Sequence, residues 1–103
     1  MTKNILLLGR TGFVLDDVQQ QLQTQDVQFF AGRDIEDMRS AFAKAHIDHV
    51  IMGAGIDLNA RLEIVQEIFQ LSDSTTVHMK DRATGPQGML TFVRAVASGL
   101  RNW

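Results

Sequence analysis

The feature that most constrains the fold is an apolar run that ends at a glycine turn near the start of the chain. Residues Ile5 to Leu8 are apolar without alternation, which is typical of a strand covered on both faces. The turn from Gly9 to Gly12 follows directly, and a helical pattern begins at Phe13. In an open α/β sheet, the first strand leads into its first helix in this way.

The same strand and helix unit is repeated three more times along the chain. Further strands are predicted at Val27–Ala31, His49–Gly53 and Thr75–Met79. Four helices are predicted: about Phe13 to Gln23, after Asp34 to about Ala45, after Asp57 or Asn59 to about Leu71, and from about Gly88 onward. Right-handed crossovers between such strands give a parallel sheet. We therefore expect an α/β, three-layer Rossmann-like sandwich with a four-stranded parallel sheet in the order 2-1-3-4.

Composition limits the classes of function that this chain can have. Its 103 residues, 45% of them hydrophobic, predict a single domain over residues 1–103 with one core. A net charge of -2 gives no basic surface for nucleic acid or for an anionic membrane. The chain has no cysteine, which excludes disulfides and suits a cytoplasmic location. The run Ile5 to Leu8 is too short to span a membrane.

The segment Gly9-Arg10-Thr11-Gly12-Phe13 resembles the first turn of the extended short-chain dehydrogenase and epimerase family. That family follows a hydrophobic strand with Gly-x-x-Gly-Phe-hydrophobic-Gly, whereas this chain has Leu15 at the third glycine. Glycine permits close approach of the backbone to a pyrophosphate, and the N–H groups at a helix start bind phosphate. The resemblance implies that Gly9, Arg10, Thr11, Gly12 and Phe13 bind the phosphate of a nucleotide such as NADP. A tight turn without any cofactor is the alternative.

The resemblance extends over residues 3–55 and adds three residues to the candidate site. In the family, a basic residue after the second strand often meets the 2′-phosphate of NADP, and Arg33 has this position. Gly53 and Gly55 are similar to the small-residue exit over which the cofactor passes. The alternatives are an exposed arginine beside Asp34 and a glycine turn without a ligand. Because the chain has no tyrosine, the family's catalytic Tyr-x-x-x-Lys is absent, and we predict no catalytic residue.

The chain also resembles, more weakly, the receiver domains of response regulators in its length and in its alternation of strands and helices. That family requires an acidic pair after its first strand and a phospho-accepting aspartate after its third. Here those positions hold Gly9-Arg10 and Gly53, although Lys80 matches the family's lysine after the last strand. Without the carboxylates that hold Mg²⁺, phosphotransfer is not supported.

The third predicted helix carries two apolar stripes, which is more than one sheet face requires. The first stripe is Leu58, Leu62, Val65 and Phe69, and the second is Ile64, Ile68 and Leu71. If the second stripe is exposed, a symmetric homodimer through the third and fourth helices would bury it. The alternative is that the second stripe belongs to the core.

Two functions therefore stay open. The chain is either a small nucleotide-binding module without a catalytic half, or a non-catalytic, dimeric interaction domain that has lost its ligand site. An enzyme is the least favoured class because no acid–base constellation stands out, and the three histidines do not have the spacing of a metal site.

Overall fold

The computed structural model describes residues 3–9, 27–81 and 88–100. The strands are β1 (Lys3–Leu8), β2 (Val27–Gly32), β3 (His49–Met52) and β4 (Thr76–Met79). The helices are α1 (Ile35–Lys44), α2 (Leu58–Leu71) and α3 (Met89–Leu100), which correspond to the second, third and fourth predicted helices. The first predicted helix lies outside the described residues.

All strand pairs are parallel, and the order in the sheet is β2-β1-β3-β4. The predicted sheet and its order are therefore confirmed. Strand β1 lies between two neighbours and beneath helices on both faces, which explains why Ile5 to Leu8 are at most 1% exposed. Among the described strands, β4 pairs with β3 alone, so it forms an edge of the sheet.

Two hydrophobic cores lie on opposite faces of the sheet, because successive side chains of a strand alternate in direction. Helices α1 and α2 cover the first core, whose main members are Leu6, Leu8, Met38, Ala41, Val50, Met52, Ile64 and Ile68. Helix α3 covers the second core, whose members include Ile5, Leu7, Phe29, Ile51 and Val93. The described part of the chain thus has three layers, with α2 and α3 on different faces.

Helix α1 begins at a double aspartate cap. Oδ1 of Asp34 accepts a hydrogen bond from the N–H of Asp37 at 2.9 Å, which confirms Asp34 as the N-cap. Oδ2 of Asp37 accepts from the N–H of Arg33, also at 2.9 Å, rather than from Asp34 as in a regular capping box. The start of α1 packs on the last residue of β2, Gly32, which is buried.

Helix α2 places most of the second apolar stripe in the core. Ile64 and Ile68 are buried beneath it, so the core alternative is confirmed for these two residues. Leu71 is more than half exposed, and the first stripe is exposed instead at three of its four positions: Leu58, Leu62 and Phe69. An uncovered apolar row therefore exists on α2, but it is formed by the first stripe and not by the second.

Strand β1 begins at Lys3, two residues before the predicted start at Ile5, and three other strand boundaries differ from the prediction by one residue. Strand β2 extends to Gly32, β3 ends at Met52, and β4 begins at Thr76. The hydroxyl of Thr75 donates to the carbonyl oxygen of Ile47 at 2.6 Å. Thr75 thus enters the edge of the sheet by a side-chain bond before the regular pairing begins.

Candidate functional site

The predicted ligand residues that the structure describes gather at the carboxyl edge of the sheet. Gly9 follows β1, Arg33 follows β2 and Gly53 follows β3, and parallel strands bring these ends to one edge. Gly55 lies in the loop that leads from β3 to α2, and Lys80 follows β4. The remaining predicted ligands lie outside the described residues: Arg10, Thr11, Gly12 and Phe13.

Backbone amides at this edge already have hydrogen-bond acceptors within the sheet. The N–H of Gly9 donates to the carbonyl of Gly32 at 3.1 Å, and the N–H of Gly53 donates to the carbonyl of Leu8 at 2.8 Å. The N–H of Lys80 donates in the same way to the last residue of β3 at 2.9 Å. Because each amide carries one hydrogen, these three groups extend the strand ladder and do not point at a ligand.

The start of α1 is occupied by the protein's own carboxylates. An open helix start attracts anions through its unpaired N–H groups and its dipole. Here the N–H groups of Arg33 and Asp37 bind the carboxylates of Asp37 and Asp34. Those carboxylates place negative charge where a phosphate would have to approach. The side chain of Arg33 is exposed beside them.

A methionine from α3 lies over the exit of β3. Gly53 is buried, and a Cβ at this position would be 3.4 Å from Sδ of Met89 and 3.6 Å from its Cε. The space next to Gly53 is thus filled by a thioether side chain. In the family that the sequence resembles, this is the exit over which the cofactor passes.

Lys80 supplies a buried positive charge at the same edge. The residue is 4% exposed, and its Nζ donates to the carbonyl oxygen of Asp81 at 3.0 Å and lies 4.0 Å from Oδ1 of the same residue. An ammonium group withdrawn from water needs acceptors of this kind. Lys80 is the described residue at this edge whose chemistry fits an anion best.

The α2 stripe is a second candidate site, formed by Leu58, Leu62 and Phe69. These residues are four and seven positions apart, so they form one line along the helix. Each is more than half exposed. A row of this kind is typical of a surface that another protein covers.

The side of the helix on which the stripe lies follows from an ion pair with α1. Nε and Nη2 of Arg39 donate to the two carboxylate oxygens of Glu67 at 2.5 and 2.7 Å. This bond holds the pKa of the Glu67 carboxyl below its ordinary value. Glu67 faces α1 and lies roughly 160° around the helix from the centre of the stripe. The stripe therefore faces away from α1.

The stripe borders the β4 edge of the described sheet. Helix α1 contacts β1 and β2, which leaves β3 and β4 beneath α2 on this face. Met79 of β4 pairs with Met52, whose side chain lies in the first core, so Met79 points to the same face as α2. Met79 is 43% exposed and extends the apolar surface from the helix to the edge strand.

A series of hydrogen bonds that the sequence did not predict runs across β3 and β4. Nδ1 of His49 lies 2.6 Å from Oγ1 of Thr76, and the same oxygen lies 2.9 Å from Nε2 of His78. Burial lowers the pKa of both imidazoles. Residues 76 and 78 share a face because side chains in a strand alternate, which the sequence can indicate. The pairing of His49 with Thr76 depends on the strand register, which it cannot.

An open cleft of about 690 Å³ lies at the opposite, amino edge of the sheet. It is bounded by the ends of α1 and α2, and its lining includes Phe42, Lys44, His46, Phe69, Leu71 and Ser72. No sequence feature predicted a cleft there. Phe69 belongs to both the cleft and the α2 stripe, so the two surfaces are continuous.

Two further findings concern metal binding and membrane spanning by the described residues. Within residues 3–9, 27–81 and 88–100, no group of three histidine or acidic side chains is arranged to hold a metal ion. None of the described helices is long and apolar enough to cross a membrane.

Comparisons of the chain with protein-family models, with curated proteins and with solved structures found no significant match.

Proposed function

We propose that this chain is a non-catalytic interaction domain that pairs with a second copy of itself across β4. The observation that carries the proposal is the α2 stripe, which lies in one line beside β4, the edge strand of the described sheet. Scattered apolar residues on a surface are ordinary, but an aligned row is typical of an association surface. The amides of Gly9 and Gly53, which donate within the sheet, support this proposal over ligand binding.

A dimer with a two-fold axis perpendicular to the sheet would cover both the β4 edge and the α2 stripe. It would pair the two β4 strands antiparallel and keep both α2 helices on the same face. With neighbouring strands roughly 4.8 Å apart and α2 above β3 and β4, the two α2 axes would be roughly 10 Å apart. Packed helices are about 8–10 Å apart, so the stripes would meet in direct contact.

The charges around the surface favour a second copy as the partner. Strand β4 consists of Thr76, Val77, His78 and Met79 and has no acidic or strongly basic side chain. On the outer side of α2, the exposed residues nearest the stripe are the amides Asn59, Gln66 and Gln70, and Glu63 is exposed further round the helix. Arg61, which is half-buried, lies on the other side of the stripe, between it and the sheet. A surface with so few charges does not select a strongly charged partner.

The expected dimer is weak. Covering each half-exposed leucine or phenylalanine contributes about 1 kcal/mol, so the six side chains of two stripes contribute about 6 kcal/mol. Roughly four hydrogen bonds between the β4 strands add about 1 kcal/mol each. Association costs about 4–15 kcal/mol in lost translational and rotational freedom. The balance favours the dimer by at most about 6 kcal/mol, which corresponds to a dissociation constant of about 40 µM or weaker.

Two leucines of α2 provide a matched pair for the test. Leu62 is 59% exposed and lies in the stripe, whereas Leu71 is 54% exposed and lies nine residues further, on the opposite side of the helix. Leu62→Asn removes about 1 kcal/mol of burial per copy, so we expect dimerisation to weaken roughly 30-fold. Leu71→Asn should leave it unchanged.

Sedimentation velocity over a range of protein concentrations up to about 1 mM measures this difference. A wild-type chain that stays monomeric over the whole range contradicts the proposal. An equal loss in the Leu62→Asn and Leu71→Asn variants would show that association does not depend on the stripe.

A second proposal is that the carboxyl edge binds the phosphate of a nucleotide, with NADP as the candidate. Buried Lys80 supports it, together with the turn that the sequence predicts from Gly9 to Gly12. Gly9, Arg33, Gly53 and Gly55 would border the ligand. Titration with NADPH, NADH, FAD and ATP is the test, with Lys80→Met as the matched variant. The absence of heat and of a melting shift at millimolar ligand would exclude this function.

A further inference from the structure

The hydrogen bonds between His49, Thr76 and His78 form a chain with a restricted set of proton positions. In the register of the sheet, His49 pairs with Thr76, and all three side chains lie on the face that α3 covers. A threonine hydroxyl carries a single hydrogen. At distances of 2.6 and 2.9 Å, Thr76 therefore donates to one ring and accepts from the other. The state of one histidine fixes the tautomer of the other.

We propose that these three hydrogen-bonded side chains form a proton-operated switch. A proton bound by His78 fixes the tautomer of His49 and opposes pairing of β4 with a second copy of the protein. The effect on pairing of β4 rests on the proposed function. The effect on the tautomer of His49 occurs within a single protein molecule and does not depend on it.

The proton positions follow from the donors that each group has. A charged His78 carries hydrogens on both ring nitrogens, so its Nε2 donates to Oγ1 of Thr76. The hydroxyl then rotates and donates to Nδ1 of His49, which must be unprotonated, with the ring hydrogen of His49 on Nε2. The net change is one proton taken from solvent. If both His49 and His78 were charged, neither ring could accept the hydrogen of the Thr76 hydroxyl.

The surroundings determine which ring is charged first. His49 is 3% exposed and is faced by Asp48, by Lys3 of β1 and by His78. His78 is half-buried, and burial alone lowers its pKa. The inward residues of α3 on this face are apolar: Met89, Phe92, Val93 and Val96. The more exposed His78 therefore takes the first proton, and His49 stays neutral.

A charged His78 acts directly on the edge of the sheet. A two-fold axis perpendicular to the sheet pairs residues of the same face. In the two registers that pair three residues of each β4 strand, His78 lies opposite its copy or two positions from it. Like charges on paired strands repel. We expect the dimer to weaken roughly fivefold between pH 7.5 and pH 5.5, a range in which histidine titrates.

Nitrogen-15 NMR of the imidazole rings tests the switch in dilute, monomeric protein. When His78 is charged, Nδ1 of His49 should have the chemical shift of an unprotonated, accepting nitrogen. Thr76→Val should uncouple the two rings, and Thr76→Ser, which keeps the hydroxyl, should restore the coupling. A protonated Nδ1 of His49 at low pH, or unchanged titrations in Thr76→Val, would overturn the switch.

Sedimentation of the wild type and of His78→Gln at pH 7.5 and pH 5.5 tests separately whether a charged His78 opposes dimerisation. We expect the variant to dimerise equally at both values. A wild-type dimer that is insensitive to pH overturns the proposed effect of His78 on association. If no dimer forms at any pH, the proposed function fails, while the tautomer result on the monomer stays valid.

Discussion

Replacing Gly32 by alanine should destabilise the fold, because the start of α1 packs directly on this glycine. A Cβ at residue 32 would lie 2.5 Å from Cβ of Asp37 and 3.2 Å from Cδ2 of Leu8. The first contact cannot be relieved by a side-chain rotation, since a Cβ atom is fixed by its own backbone. Helix α1 must therefore shift, and the shift pulls Oδ2 of Asp37 away from the N–H of Arg33.

The size of the effect follows from these two losses. Overpacking of a well-packed site costs about 1–3 kcal/mol, and loss of a capping hydrogen bond costs about 1 kcal/mol. In a domain of this size, each kcal/mol lowers the melting temperature by roughly 4–8 °C. We expect Gly32→Ala to melt at least about 8 °C below the wild type in circular dichroism.

Gly99 in α3 provides the matched control. A Cβ there has no atom within 4 Å, and the residue is exposed within the helix. Gly99→Ala should stabilise the protein by about 0.5–1 kcal/mol, because alanine is the better helix former. Equal melting temperatures for Gly32→Ala and the wild type would refute the packing argument at the start of α1.

Two further predictions concern the core and the histidines. Ile68→Ala should cost about 2–5 kcal/mol in urea unfolding because Ile68 is fully buried, whereas Phe69→Ala, next along the chain and 56% exposed, should cost far less. A similar loss in both would place the α2 stripe in the core. Burial lowers the pKa of His49 and His78. The unfolded chain therefore binds protons more readily, so stability should be complete above about pH 6.5 and fall as the pH drops towards the lowered values. Urea midpoints from pH 7.5 to pH 5 measure this, and a rise of stability on acidification would contradict it.

Elements encoded by local patterns could be predicted from the sequence. The apolar run of β1 and the strand and helix alternation indicated the parallel order, and Asp34 marked the start of α1. These signals depend on residues within a few positions of one another. For the same reason, the predicted strand boundaries differ from the structure by one or two residues.

The rotation of α2 could not be predicted in this way. Both of its stripes are apolar, so periodicity alone does not indicate which one faces the sheet. The choice depends on contacts with distant residues, among them the ion pair between Glu67 and Arg39 of α1, 28 residues away in the chain. The contact of Met89 with Gly53 and the pairing of His49 with Thr76 depend on tertiary structure in the same way.

The glycines and the leucines of this chain thus call for different explanations. Gly32 is accounted for by packing, because any side chain there would collide with α1. The space beside Gly53 is filled by Met89, and its amide donates within the sheet. A glycine at a strand exit is therefore not sufficient reason to infer a ligand. Leu58 and Leu62, by contrast, contribute little to the core and expose apolar surface beside the β4 edge of the described sheet. Packing within the fold accounts for Gly32 and Gly53, whereas it does not account for the exposed leucines, which is the reason for the proposal that a second copy covers them.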